Sequence, residues 1–358
     1  MSDRFAPWAR RLEAIRGARR WRRTRTLQPT SATTARLDGA DVIVACSNDY
    51  LGLATHPELQ AAARGGGATG SRLISGSRPV HHQLEAALAD WLGRPALLFT
   101  SGWHANLAVL STVCEPGDLA ASDADNHASI IDGLRLSRAQ RCIVPHADPE
   151  AVPPEARLCV VEGLFSMGGD RAPVADYPPG PWLAVDEAHS IGAVGPQGRG
   201  VAAAAGRVPD ILIGTFGKAF GCAGAFVVGP PELRDLLVNA GRSFIFTTAL
   251  PEPVAAMALV GLRLANDERR QQLRSRVQRL REGLRQLGWQ APGADHIVPV
   301  IVGERALEVA AHMLERGVFA PAIRWPTVPR GQERLRLTVS AAHTDEQIDR
   351  ILDALGAP

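Results

Sequence analysis

The sequence predicts an α/β fold: a large domain on a mostly parallel sheet, followed by a smaller C-terminal α+β domain. Three observations carry this. From about residue 41, short apolar runs alternate with helical patterns. Several of those runs are continuous, as strands covered on both faces require. After Thr247-Thr248-Ala249-Leu250-Pro251 the texture changes to a long Arg/Gln/Leu stretch and then mixed elements. A length of 358 residues agrees, since roughly 150 residues per domain suggests about two.

Residues 1–36 carry ten Arg against Asp3 and Glu13, a local charge of +8. Phe5, Trp8, Leu12 and Ile15 recur every three to four positions, so a helix with one apolar stripe is expected in an arm spanning residues 1–40. Such an arm could bind nucleic acid, but nothing downstream extends the basic surface. A solvated helix packed on the body, or one reaching an anionic substrate, fits better. The large domain, 41–249, should hold strands at Val42–Ala45, Ala96–Phe99, Leu158–Val161, Leu183–Val185, Ile211–Gly214 and Ala225–Val228. Helices such as His82–Leu92 and Ala105–Val113 lie between them. The small domain, 250–358, should open with one helix from about Pro253 to Leu287. A strand at Ile297–Val302, a helix at Arg305–Arg316, a Pro-rich loop at Pro321–Pro329, a strand at Arg334–Val339 and a helix at Asp345–Leu355 should follow.

The formal charge of +2 argues against a polybasic nucleic-acid binder. No apolar run approaches the ~18 residues of a membrane span. Met1-Ser2-Asp3-Arg4 lacks an apolar signal core, so a cytoplasmic protein is expected. Five scattered cysteines (Cys46, Cys114, Cys142, Cys159, Cys222) include no C-x-x-C pair. Neither a disulfide framework nor a structural zinc is therefore expected. Of the 39 basic residues, 38 are arginine and one, Lys218, is lysine. A compositional bias toward Ala, Arg, Gly and Pro explains the scarcity of lysine. It does not explain why one remains.

Lys218 sits where an apolar run enters a Gly-rich turn, Ile211-Leu-Ile-Gly-Thr-Phe-Gly-Lys-Ala-Phe-Gly221. Gly217 and Gly221 permit unusual dihedrals there. An amine held in such a turn can lose its proton and act as a nucleophile, which arginine cannot do. Schiff-base chemistry would explain the retained lysine; chance survival of one surface lysine is the alternative. Thirty-two residues earlier, Trp182-Leu-Ala-Val-Asp-Glu-Ala-His-Ser190 ends an apolar strand in Asp186, with His189 three residues on. A carboxylate at that end of a strand faces the crevice where α/β sheets bind ligands. It could hold a protonated pyridine nitrogen of a cofactor. Asp186 and His189 could also be two metal ligands, although the chain offers no convincing third and fourth. Leu97-Leu-Phe-Thr-Ser-Gly-Trp-His-Ala-Asn106 is again strand, turn, helix, and its free backbone N–H groups form an anion site of the kind a phosphate uses. Asp123-Ala-Asp-Asn-His127 and Val161-Glu-Gly-Leu-Phe-Ser166 add a His and a Ser near the ends of apolar segments, positions where a structural role is also open.

A strand-turn phosphate site, then His, then Asp-x-x-His, then Thr-x-Gly-Lys, in that chain order, resembles the fold-type-I pyridoxal-phosphate enzymes. The closer resemblance is to the α-oxoamine synthases, which condense an amino acid with an acyl thioester and lose CO2. It runs from Cys46–Leu53 (CSNDYLGL) to Ser340–His343 (SAAH) and includes Ser75–His82 (SGSRPVHH), Glu162–Gly169 (EGLFSMGG), Val185–His189 (VDEAH) and Thr215–Lys218 (TFGK). Ala322–Pro329 (AIRWPTVP) and Arg334–Thr338 (RLRLT) look most like the members that join L-alanine to a pimeloyl thioester, on coenzyme A or acyl carrier protein. Glycine-using members such as glycine C-acetyltransferase are the alternative. The resemblance implies pyridoxal 5'-phosphate as cofactor. It implies Lys218 as the Schiff-base lysine and general base, Asp186 on the ring nitrogen, His189 and Ser166 toward the ring hydroxyl, and His127 stacked on the ring. Gly102, Trp103 and Thr215 would surround the phosphate. Thr247 and Thr248 would reach the phosphate of a neighbouring subunit, which implies a homodimer with shared sites. Arg336 would bind the amino acid's carboxylate, and Arg22 and Thr327 would contact substrate. Borohydride reduction of the cofactor-loaded protein, followed by peptide mass mapping, is expected to label Lys218 alone.

Overall fold

The computed structural model describes residues 4–18 and 20–358. Met1, Ser2 and Asp3, on which the expectation of an unexported chain partly rests, lie outside the described residues. The predicted first helix forms as α1 (Ala6–Gly17) but buries none of its residues. Phe5, Trp8 and Leu12 are exposed, so the apolar stripe does not pack on the body. Three short strands follow: β1 (Leu27–Pro29), β2 (Thr34–Leu37) and β3 (Ala40–Val44). The strand predicted at Val42–Ala45 thus forms, but not in the main sheet. As β3 it pairs with β2 and, in parallel, with a two-residue strand far along the chain, β12 (Val318–Phe319).

The short helix α2 (Pro57–Ala61) and α3 (Pro79–Leu92) lead to a seven-stranded sheet. Its strands are β4 (Ala96–Phe99), β5 (Leu119–Asp123), β6 (Gln140–Val144), β7 (Leu158–Glu162), β8 (Trp182–Asp186), β9 (Ile211–Thr215) and β10 (Ala225–Val228). The order across the sheet is β4-β10-β9-β8-β7-β5-β6. Only β10 runs antiparallel to its neighbours. Alternate residues serve opposite faces. Leu97 and Phe99 of β4 join one apolar cluster with α4 (Gly102–Thr112), α5 (Ala128–Leu136), α7 (Pro231–Ala240) and α8 (Arg242–Ile245). Ala96 and Leu98 face the other cluster, with α3 and α9 (Glu252–Leu264). Burial on both faces is what the continuous apolar runs encoded. A one-turn helix, α6 (Val201–Ala204), lies between β8 and β9.

The helix expected over Pro253–Leu287 divides into α9 and α10 (Asp267–Gln286). Asn266 causes the break. Its side chain accepts a hydrogen bond from the Arg269 N–H at 3.0 Å and caps the new helix. A three-stranded sheet, β11 (Ile297–Ile301), β14 (Arg334–Thr338) and β13 (Ala322–Ile323), is antiparallel and is covered by α10, α11 (Ala306–Glu315) and α12 (Asp345–Leu355). No helix among the described residues is long and apolar enough to cross a membrane.

One ionic contact ties the sheet's end to the loop bearing Ser166. His146, just after β6, lies 3.0 Å from Asp123 Oδ1 through Nδ1 and 2.8 Å from Asp170 Oδ2 through Nε2. Both ring nitrogens face carboxylates, so the doubly protonated imidazolium is favoured and the pKa rises from 6.5 to about 10. Because the folded value lies above the unfolded one, the stabilisation is complete below about pH 6.5 and is lost as pH rises through about 10. His146→Gln should therefore melt below the parent at pH 6, with the gap closing by pH 10, as thermal unfolding across that range will read.

Candidate active site

The sheet register gathers the polar residues along one edge. Glu162 of β7 is paired with Asp186 of β8, and Asp186 with Ile213 of β9. Across β10, Phe99 and Thr215 occupy the same row. The C-terminal ends of β4, β7, β8 and β9 thus open together, at the edge where α/β sheets bind ligands. A cavity of about 230 Å³ lies there, and Gly102, Trp103, His127, Asp186, His189, Thr215 and Lys218 all line it. A larger groove of about 630 Å³ runs along α10 and holds no nucleophile.

The turn after β9 is held by its own backbone. Gly217 N–H donates to Thr215 Oγ1 at 3.1 Å, and Gly221 N–H to the Lys218 carbonyl at 3.0 Å. Gly221 has φ +67°, and a Cβ there would stand 2.4 Å from the Ala54 nitrogen. The turn therefore requires glycine. Phe216 and Phe220 are fully buried on either side of Lys218 and anchor the loop. Burial pulls the Lys218 ammonium down to about 8, against the opposing pull of Asp186 and Glu162 and with added repulsion from Arg336. The free amine is thus far more populated near neutral pH than for an ordinary lysine at 10.5.

Asp186 is buried and held rigid. It accepts from Asn106 Nδ2 at 2.8 Å and from the Ala188 N–H at 2.9 Å. Asn106 also donates to Ser129 Oγ at 2.9 Å, and Ser129 Oγ lies 2.8 Å from His127 Nδ1. Since the Ser129 N–H also donates to Nδ1, that nitrogen is the acceptor and the His127 proton sits on Nε2. Desolvation on the cleft wall holds His127 below its usual range, so its ring is neutral. Trp103 stands edge-on to it, ring centres 6.0 Å apart. His189 is held well below the usual range by burial, with Lys218 and Arg336 adding to the effect.

Six predicted residues stand at the cavity's border or away from it. Ser166 does not line it, but its carbonyl accepts from Arg336 Nε. Arg336 itself enters from β14 and donates to Asn48 Oδ1 at 3.1 Å. Thr247 lines a separate small cavity with Arg72 and Ser243, and Thr248 is exposed. Arg22 and Thr327 are exposed on segments that meet through the Arg20 guanidinium, 5.1 Å from the Trp325 ring centre. Sequence reading missed Asn106, Ser129 and Glu162, which also line the cavity. It quoted Asn48, Tyr50, Asn106 and Glu162 within motifs without giving them roles. Only Glu162 carried a local signal, a carboxylate ending an apolar strand just as Asp186 does.

The cavity's chemistry fits pyridoxal phosphate. Glu162 Oε1 and Asn106 Oδ1 are buried without hydrogen-bond partners, so the wall has polar atoms still to satisfy. The N-terminus of α4, capped by Ser101, presents N–H groups suited to a phosphate. Asp186 is a fixed counter-charge for a ring N–H, and Lys218 is an amine of lowered basicity.

Residues 40–355 match the family model of the class I and II aminotransferases. The 8-amino-7-oxononanoate synthase of Methylococcus capsulatus is 43% identical, across 95% of this chain and 94% of its own. A variant of the serine palmitoyltransferase of S. paucimobilis, with a bound PLP–myriocin aldimine, matches with a TM-score of 0.89 at 32% identity, covering 98% of this chain and 96% of its own. The 8-amino-7-oxononanoate synthase of Francisella tularensis matches with a TM-score of 0.76 at 27% identity, covering 88% and 96%.

Only the neutral amine attacks an aldehyde. The rate of pyridoxal-phosphate uptake by cofactor-free protein should therefore climb with pH and level off above about 8, where Lys218 loses its proton. Glu162→Gln removes a group that raises the lysine's pKa, so stopped-flow absorbance should show a lower midpoint.

Proposed function

The chain belongs to the 8-amino-7-oxononanoate synthases within the class I and II aminotransferase family, and we propose that it condenses L-alanine with a pimeloyl thioester, giving 8-amino-7-oxononanoate, CO2 and the free thiol carrier. The observation that carries this reading is 43% identity to a synthase of that name across 95% of the chain. The reaction serves biotin biosynthesis, and the cofactor is pyridoxal 5'-phosphate. Either coenzyme A or acyl carrier protein presents the same thioester.

Bound in the cleft, the cofactor supplies an aldehyde for the amino group and a cationic ring that accepts the electron pair released at the α-carbon. Asp186, fixed by Asn106 and the Ala188 N–H, keeps the proton on the ring nitrogen. Arg336 grips the α-carboxylate through its planar fork, with Asn48 beside it. Lys218 Nζ, its basicity lowered by burial, takes the α-proton as general base. His127 covers the ring face as a neutral imidazole, with Nε2–H turned outward from its bond to Ser129. The N-terminus of α4, with Gly102 and Trp103, and Thr215 hold the phosphate. His189 and Ser166 serve the ring hydroxyl.

The working unit is a homodimer with shared sites, in the cytoplasm. Thr247 and Thr248 stand away from their own chain's cavity, which supports a role toward a neighbour. Ile74 and Phe246 are exposed at 85% and 72%, and the Ala249 N–H binds the Gly70 carbonyl, drawing the two segments together into an apolar surface for a second copy. Arg22 and Thr327 flank the entrance and meet the anionic acyl substrate.

A panel of alanine, glycine and serine against pimeloyl-CoA and acetyl-CoA tests the reading by CO2 and thiol release. Alanine with pimeloyl-CoA should be preferred; strict preference for glycine with acetyl-CoA overturns the substrate assignment. Lys218→Ala should lose at least roughly a thousandfold in turnover while gel filtration still shows a folded dimer.

A further inference from the structure

His189 reaches past the cleft into a second cluster. Its Nδ1 lies 2.6 Å from Tyr50 Oη. The same hydroxyl is 3.0 Å from Asn48 Oδ1. Arg336 donates to both, from Nη1 to Asn48 Oδ1 at 3.1 Å and from Nη2 toward Tyr50 Oη at 3.5 Å. Tyr50 is fully buried, its ring centre 3.9 Å from that of His296. His296 Nε2 in turn donates to the His189 carbonyl at 2.9 Å, which fixes the backbone beneath the imidazole.

The protons here can be counted. A phenol has one, and Tyr50 has two neighbours able to accept it, Asn48 Oδ1 and His189 Nδ1. Burial pushes the phenol to about 12 and holds both His189 and His296 low, His296 at about 4. All three side chains are therefore neutral near pH 7, and His189 carries a single proton. If the Tyr50 O–H points at Asn48, His189 must donate from Nδ1, and Nε2 is left as a bare acceptor. If it points at His189, Nε2 holds the proton and is a donor.

We propose that Tyr50 is a positioning residue that couples the Arg336–Asn48 fork to His189, setting which imidazole nitrogen bears the proton according to whether a carboxylate occupies the fork. This rests on the reading above that Arg336 takes the α-carboxylate. A carboxylate offers only acceptors, so it draws guanidinium N–H groups away from Asn48 Oδ1 and Tyr50 Oη. Asn48 Oδ1, short of a donor, then captures the phenol proton, and His189 becomes the Nδ1–H tautomer. With the fork empty, Arg336 satisfies Asn48 and the phenol proton is available to Nδ1. Arrival of the amino acid at one end thus exchanges donor for acceptor at Nε2, the nitrogen left to the cleft. No net charge moves.

The test is nitrogen NMR on holoenzyme labelled with ¹⁵N-histidine, with the His189 signals assigned by their loss in His189→Asn. Titration with L-alanine should shift Nε2 from its protonated toward its unprotonated position, and Nδ1 the opposite way. In Tyr50→Phe, which keeps the ring against His296, alanine should still bind within about threefold but move neither nitrogen. Turnover should fall about tenfold with the alanine KM nearly unchanged, a split that loosened packing would not give. Unmoved nitrogens in the parent, or an unaltered response in Tyr50→Phe, would overturn the coupling. Should Tyr50→Phe fail to fold, the parent titration decides alone. Alanine binding is followed separately by the visible absorbance of the holoenzyme. No absorbance change would reject the amino-acid reading itself, whereas an absorbance change with fixed nitrogens rejects only the coupling. Glycine carries the same carboxylate and must act alike, so the outcome does not depend on which amino acid is the true substrate.

Discussion

A lysine ammonium is stabilised in water by solvation that a closed cleft withholds, and the arrangement around Lys218 controls what replaces it. Burial alone would strip the proton, while Asp186 alone would hold it. Glu162 decides the balance. The β7–β8 register sets it opposite Asp186, and burial together with that like charge raises Glu162 to about 8. Glu162 and Lys218 therefore titrate over the same range, near 8, and the amine is released more readily the less Glu162 is ionised. The register of two parallel strands is therefore part of the chemistry.

Successive residues of the VDEAH segment are separated by the same geometry. Asp186 faces the cleft, while Glu187 turns into the protein and accepts the Val201 and Ala202 N–H groups at 2.9 and 2.7 Å, capping α6. A Cβ on Gly200 would meet that carboxylate at 2.5 Å, so glycine at φ +95° admits it. His189 returns toward the cleft, held by Tyr50. A buried structural carboxylate thus sits one residue from a cofactor-facing one, and a change at Glu187 would disturb the site without touching it.

Much of the main sheet was legible because its strands are covered on both faces and read as unbroken apolar runs. The strands expected at 96–99, 158–161, 211–214 and 225–228 all form, the second and third each extending one residue further. β5 and β6 escaped notice. β5 (LAASD) is short and dilutes its apolar residues with small and polar ones, and β6 (QRCIV) lies at the sheet's edge with three of its five residues exposed. β3 was visible as a strand, but its partner β12 lies some 275 residues further on, and nothing local marks that pairing. The site shows the same division. Asp186 ends a strand, His189 and Lys218 each follow one by three residues, and all three announce themselves. Asn106 and Ser129 lie on helices, where a polar residue usually means a solvated face, and only the α4–α5 contact reveals that they join Asp186 to His127. Tyr50, in a turn, and Arg336, on β14, meet across 286 residues.

The composition carries a further meaning once the contacts are known. Wherever a permanent positive charge is needed, arginine supplies it. Arg72 grips buried Glu85 through two bonds of 2.8 and 3.0 Å, and Arg171 grips Asp295 through 2.6 and 2.7 Å. Arg270 is buried against the carbonyls of Gly192 and Ala265. Arg336 spans a hydroxyl, an amide and a carbonyl. Each of these tasks uses the guanidinium's planar array of donors, and none requires a proton to leave. The task at position 218 is the reverse. It needs a group that is charged in one step and bare in the next, at a pH where guanidinium never releases its proton. A chain with 38 arginines and one lysine has therefore exchanged one cation for the other wherever the two perform alike, and kept lysine where they differ.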